Sequence, residues 1–202
     1  MKTLLLLGDS IRMSYQPVVA EMLTGRAKVV GPSDNCRFAL YTLMRLDHWL
    51  QECGAPDVIH WNNGLWDLGQ CPHRRPVQTP MADYVANLGF VLDRLRKTGA
   101  AIIWATTTPV RGDRGWRDDW LFLPEDVVRY NQGARELMQH KGVSCHDLGA
   151  LVQGNRTTYL GEDGVHLNPA GQEACAAAVV ETVHPFLLEA GKPGSGDNHA
   201  SP

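Results

Sequence analysis

Three residues carry the chemistry that can be read in this sequence: Ser10, Asp163 and His166. Asp163 and His166 stand three apart in Gly161-Glu162-Asp163-Gly164-Val165-His166-Leu167-Asn168-Pro169, a glycine-bracketed segment that leads into the last helix-like stretch. That spacing lets the carboxylate reach the imidazole within one turn. A serine becomes a nucleophile when a base removes its proton, and the base needs an acceptor that holds its tautomer and stabilises its cation. Ser10 closes Gly8-Asp9-Ser10, directly after four consecutive leucines, Leu4–Leu7. A run apolar on both faces is what a strand buried inside a parallel sheet requires. A serine at the C-terminal end of such a strand, ahead of a helix, sits where open α/β sheets place their ligands. Taken singly, Gly-Asp-Ser also reads as a turn with a cap, and Asp-Gly-x-His as a turn before an exposed histidine. Only together do the two segments point to a nucleophile and its base.

The elements that must bring them together alternate. After the leucine strand, helix-like sequence begins at about Ser14 and is clearest over Pro17–Thr24, with Gly25 placed to end it. Short apolar strands are expected at Ala27–Val30, Asp57–Trp61, Ala100–Ala105 and Val143–His146. Helical spacing of apolar residues runs over Arg37–Gln51 and Met81–Thr98, then from Pro124 to near Gly142, and from Asn168-Pro169 through Val183. Gln70–Pro80 and Val110–Leu123 read as loops, and Leu148–Leu160 has no clear period. Five strands alternating with helices predict a parallel sheet covered on both faces, a three-layer α/β/α sandwich. Right-handed crossovers would put every strand's C-terminus on one edge, so that Asp9-Ser10, Asp34-Asn35 and Asn62-Asn63 share a rim. Residues 1–190 are expected to form one domain and 191–202 a flexible tail.

With Gly8-Asp9-Ser10 and Asp163-Gly164-Val165-His166 in this order, the chain resembles the SGNH (GDSL-type) hydrolases. The resemblance spans residue 2 to about 185. It implies a flavodoxin-like fold and a serine esterase, with Ser10 as nucleophile, His166 as base and Asp163 as the acid that orients it. It also implies an oxyanion hole built from the nucleophile's own N–H, the N–H of a second-block glycine and a third-block asparagine side chain. Here Asn35-Cys36 stands where Ser-Gly is usual, and Gly64-Leu65-Trp66-Asp67 where Gly-x-Asn-Asp is usual. The expected donors are therefore Ser10 N–H, Cys36 N–H and the side chain of Asn62, with Asn63 as second choice. Asn62 is shared with a divergent branch of the family reading Asn-x-Gly-Leu-His-Asp, as is an Ala-Thr-Thr-Thr-Pro-Val segment, here ending Thr106–Val110. The resemblance implies short acyl groups, acetyl above all, with carbohydrate as a candidate alcohol. The alternatives are acyl transfer or thioester hydrolysis by the same three residues, or a catalytically silent carbohydrate-binding domain on the same fold.

Trp66, Trp116 and Trp120 are candidate substrate contacts, their flat faces suited to sugar rings, and Arg111, Arg114 and Arg117 could meet an acidic substrate. His48, His60, His73, His140 and His146 read as structural. The formal charge of −3, with no basic patch, argues against a nucleic-acid partner. No stretch approaches membrane-spanning length and no signal peptide is evident, so a cytoplasmic location is expected. Five dispersed cysteines without Cys-x-x-Cys suit reduced thiols, and Cys71-Pro72-His73 is too little for a metal site. No Gly-x-Gly-x-x-Gly, P-loop or Gly-x-Ser-x-Gly elbow is present, and no cofactor is expected.

Overall fold

The computed structural model describes residues 1–70, 77–112 and 120–188. The expected tail lies outside these residues, as do Cys71, His73, Arg114, Trp116 and Arg117. The chain alternates strand and helix from its start: β1 (Lys2–Leu7), α1 (Ser10–Met22), β2 (Ala27–Val30), α2 (Ala39–Cys53), β3 (Val58–Trp61), α3 (Leu65–Leu68) and α4 (Met81–Arg96). It continues through β4 (Ala101–Ala105), α5 (Pro124–His140), β5 (Ser144–His146), α6 (Leu148–Gln153), α7 (Arg156–Tyr159) and α8 (Pro169–Leu188). The five strands form one parallel sheet in the order β2-β1-β3-β4-β5. Helices α1 and α8 pack together in one outer layer, and α2, α4 and α5 make successive contacts in the other.

The leucine run explains the centre. β1 pairs with β2 on one side and β3 on the other, Leu5 aligning with both Val30 and Ile59. Leu4, Leu5, Leu6 and Leu7 are fully buried because both faces of their strand are covered. The chain leaves β1 toward β2 on one flank and returns to β3 on the other. The ends of β1 and β3 therefore enclose the switch-point crevice of an open parallel sheet. Ser10 emerges from one of those ends and Asn62 from the other.

Helix α1 begins earlier than its apolar spacing suggests. Asp9 is its N-cap, and its carboxylate accepts the Ile11 N–H at 2.9 Å, so helical backbone starts at Ser10 itself. The unpatterned 148–160 segment forms two short helices, α6 and α7. Asn168 caps α8 by accepting the Gly171 N–H at 2.9 Å.

Under the sheet edge, the fully buried His60 of β3 lies with Nε2 3.0 Å from Nδ1 of His146. Burial holds both rings neutral, pushing His60 down to about 3 and His146 to about 4. An unfolded chain would protonate these residues near the ordinary histidine value of about 6.5. The unfolded state thus binds more protons below that pH, and stability is lost on acidification from about 6.5 toward 4. Replacing His60 with Leu should remove one histidine's share of that acid slope, about 1.4 kcal/mol per pH unit, in unfolding titrations between pH 4 and 6. An unchanged slope would show that this pair does not control acid stability.

Candidate active site

Ser10 occupies the first helical position of α1, at the rim of the sheet. The Asp9 cap engages the N–H of Ile11, and the Ser10 N–H has no acceptor among the described residues. Burial raises the Asp9 carboxyl pKa, against the opposing pull of the Ile11 N–H and the nearby charges of His166 and Arg12.

The loop between α7 and α8 brings the other two residues to this point. Ser10 Oγ lies 2.9 Å from His166 Nε2, and His166 Nδ1 lies 2.7 Å from Asp163 Oδ2. The second carboxylate oxygen, Oδ1, accepts the backbone N–H groups of Val165 and His166, both at 2.9 Å. Partial burial would raise the pKa of Asp163. The two N–H donors and the His166 ring outweigh it and hold the carboxyl below its usual range. Asp163 is therefore kept as an anion, the state that fixes a proton on Nδ1 and leaves the Nε2 lone pair facing Ser10.

The Gly8–Ser10 turn and the neighbouring loops are braced by a residue that carries no motif signal in the sequence. Arg12 is 97% removed from solvent, judged by its 3% exposure. Its guanidinium donates to the carbonyls of Gly8 (3.2 Å), Pro32 (3.1 Å) and Asp34 (3.1 Å) and to the Gln16 side chain (2.8 Å). One cation thus joins the turn before Ser10 to the loop after β2. Asp67 does similar work from α3, accepting the Ala39 N–H that opens α2 at 3.0 Å, while burial raises its pKa to about 7.

A small cavity beside Ser10 and His166 is walled by Leu65, Trp66, Phe122 and Val165. Trp120 backs this wall, edge-on to Trp66 at 5.6 Å between ring centroids and stacked on Phe122 at 6.3 Å. Among the described residues there is no group of three or more His, Cys, Asp or Glu side chains able to hold a metal, and no helix is long and apolar enough to cross a membrane.

With this geometry, the sequence matches the GDSL-like lipase/acylhydrolase family over residues 7–174. The chain belongs to that family. Its fold is that of the SGNH hydrolases, and solved structures agree closely in shape at low identity. An acetyl xylan esterase, AlAXEase, superposes with a TM-score of 0.72 at 19% identity, covering 90% of this chain and 99% of its own. A catalytic mutant of an acetylxylan esterase from Geobacillus stearothermophilus gives 0.73 at 17% identity, covering 90% and 94%. A lipase/acylhydrolase from Enterococcus faecalis gives 0.71 at 20% identity, covering 92% and 96%. No curated protein matches the chain in sequence.

This acylhydrolase departs from expectation at the remaining oxyanion donors. The Cys36 N–H donates to the Gly8 carbonyl at 3.2 Å, satisfying a buried acceptor in the turn before Ser10. Asn62 spends its amide on Ala105 O (2.7 Å) and Thr107 Oγ1 (3.2 Å), tying the end of β3 to the end of β4. Asn63, the second choice, is 1% exposed and donates to Arg37 O and Thr42 Oγ1, both at 2.9 Å. Of the expected donors, then, only Ser10 N–H stands open. Next to Cys36, Arg37 is a non-glycine residue in the left-handed region at φ 49°.

Trp66 lines the cavity and Trp120 supports it, but Trp116 lies outside the described residues. Phe122 was missed because it closes an aperiodic loop, and Arg12 because a charged residue on a buried helix face leaves no periodic signal.

The bonding of Asn62 makes a specific prediction. Asn62→Ala should lower stability by about 1–3 kcal/mol, because the Ala105 carbonyl loses its partner. Ester turnover should fall less than the roughly 100- to 1,000-fold expected of an oxyanion donor. A kcat loss of that larger size at unchanged KM would assign Asn62 to the oxyanion after all.

Proposed function

We propose that this chain is a serine esterase that hydrolyses carboxylic esters of short acyl groups, acetyl foremost, through an acyl-enzyme on Ser10. The observation that carries the reading is the hydrogen-bonded line from Ser10 through His166 to Asp163. His166 Nε2 takes the Ser10 proton as Oγ bonds to the carbonyl carbon, and the charge on the carbonyl oxygen is met by Ser10 N–H. The tetrahedral species collapses, His166 returns the proton to the departing alkoxide, and an alcohol leaves. Water then repeats the sequence: His166 takes its proton, hydroxide adds to the acyl carbon, and the carboxylic acid departs as Oγ regains a proton. Asp163 stabilises the imidazolium in both halves without taking the proton. No metal or organic cofactor enters these steps.

The preference for acetyl rests on the small cavity beside Ser10 and His166, walled by Leu65, Trp66, Phe122 and Val165. Two of its walls, Phe122 and Trp66, are bulky aromatics that favour a short acyl group there. A carbohydrate alcohol fits the aromatic border at Trp66 and Trp120, and two of the structural neighbours are named as acetyl xylan esterases.

Ser10→Ala should reduce turnover of an aryl acetate by at least about 10⁴-fold with circular dichroism unchanged. Wild-type protein should prefer acetate to butyrate esters by about tenfold or more in kcat/KM, and Phe122→Ala should narrow that gap. Full activity of Ser10→Ala would refute the mechanism; wild-type preference for hexanoate would refute the acyl assignment.

A further inference from the structure

The loop that carries Asp163 and His166 is a set of tight turns between two short contacts. Gly164 N–H donates to Gly161 O at 3.0 Å, and Gly161 N–H to His166 O at 2.7 Å. These bonds shape the loop, but they do not tie it to the body of the domain. Arg111 does so from two positions. Its backbone N–H donates to the Gly164 carbonyl at 2.9 Å, and its guanidinium Nη2 donates to the Glu162 carbonyl. The two accepting carbonyls flank Asp163 in the chain. Gly164 lies flat against the same side chain, at φ +71°, where an added Cβ would stand 2.8 Å from Arg111 Nε and 3.0 Å from its Cβ.

Arg111 itself is anchored to the core. It follows the buried Val110, and the Thr107 backbone upstream is paired on both sides with Asn131 of α5: the Thr107 N–H donates to Asn131 Oδ1 at 2.8 Å and Thr107 O accepts from Asn131 Nδ2 at 2.9 Å. The route from the sheet to the catalytic carboxylate is therefore continuous: β4, the threonine turn held by Asn131, Arg111, and the carbonyls on either side of Asp163.

We propose that Arg111 is a positioning residue for the Asp163–His166 pair rather than a contact for an acidic substrate. The inference rests on reading Ser10 as the nucleophile and His166 as its base. Because the guanidinium addresses a main-chain carbonyl of the loop, its loss frees the carboxylate to shift relative to Nδ1, and with it the ring facing Ser10. Any non-proline substitution keeps the Arg111 N–H bond to Gly164, so the loop retains one tether and the loss is graded. Displacement of a catalytic group by about 1 Å can cost about 100-fold in rate.

The test compares full-length wild type, Arg111→Met and Arg111→Lys on an uncharged aryl acetate and on an ester of an anionic acid, together with proton NMR of the His166 Nδ1–H. Arg111→Met should lose about 10- to 100-fold in kcat on both esters, with KM changed less than about threefold. Its low-field Nδ1–H resonance should be broadened or absent. Arg111→Lys, which keeps one charged donor, should fall between it and the wild type in both readouts. A residue that only stabilised the fold would lower the melting temperature and leave the resonance of the folded protein unchanged, which would overturn the proposal. So would a rise in KM confined to the anionic ester, because that would make Arg111 a substrate contact. If Arg111→Met fails to fold, Arg111→Lys decides by the same two readouts. Failure of the underlying serine-esterase reading is distinguishable, since wild-type turnover would then be absent while the NMR comparison still reports on the Asp163–His166 bond.

Discussion

The proposed activity depends on one contact, the 2.9 Å approach of Ser10 Oγ to His166 Nε2 across 156 residues of sequence. A bond of that length tolerates little error, yet neither partner lies within a strand. Each stands within three residues of an element whose position is fixed by burial. Ser10 follows the fully buried leucines of β1, flanked by paired strands on both sides. His166 precedes Asn168, which caps a helix packed against α1. The hydrophobic effect places the two elements to within a side chain's reach, and hydrogen bonds in the connecting turns set the remaining ångström.

Those turns are held mostly by polar side chains that satisfy main-chain groups. Arg12 collects three carbonyls around the turn before Ser10, Asp67 caps α2 from α3, Asn131 pairs with both backbone groups of Thr107, and Arg111 grips the loop of Asp163 and His166. A buried carbonyl without a partner costs about 1–3 kcal/mol, so each of these contacts resists rearrangement as well as defining geometry. The same logic accounts for the engaged oxyanion candidates. Cys36 N–H, Asn62 and Asn63 face main-chain acceptors in the loops they stabilise, and the structure satisfies those acceptors.

The frame of the fold was legible in the sequence because its signals are collective. Four consecutive leucines suit a strand buried on both faces, and the apolar spacing over Met81–Thr98 suits a helix, here Met81–Arg96. That Ser10, Asp163 and His166 would meet was legible because the Asp163–His166 spacing and the rim position of Ser10 point to one hydrogen-bonded line, which the structure contains. The oxyanion donors were not, since whether a particular N–H is open depends on where one carbonyl, Gly8 O, finds its partner. Arg12 and Arg111 were obscured for a related reason: sequence shows a charge, and only the fold shows that the charge is turned onto main-chain oxygens. Phe122 and the short helices α6 and α7 lie in stretches without period, where tertiary contacts alone decide the conformation.

The central claim is that His166, held by Asp163, activates Ser10. A fluorophosphonate reports this directly, because it phosphonylates a serine whose proton is withdrawn by a neighbouring base, with fluoride as the leaving group. Intact-mass and peptide mapping after exposure to the reagent should show one adduct on wild-type protein, located at Ser10, and strongly slowed labelling in His166→Gln. An unlabelled Ser10 in folded wild-type protein, or labelling that proceeds equally in His166→Gln, would contradict the account.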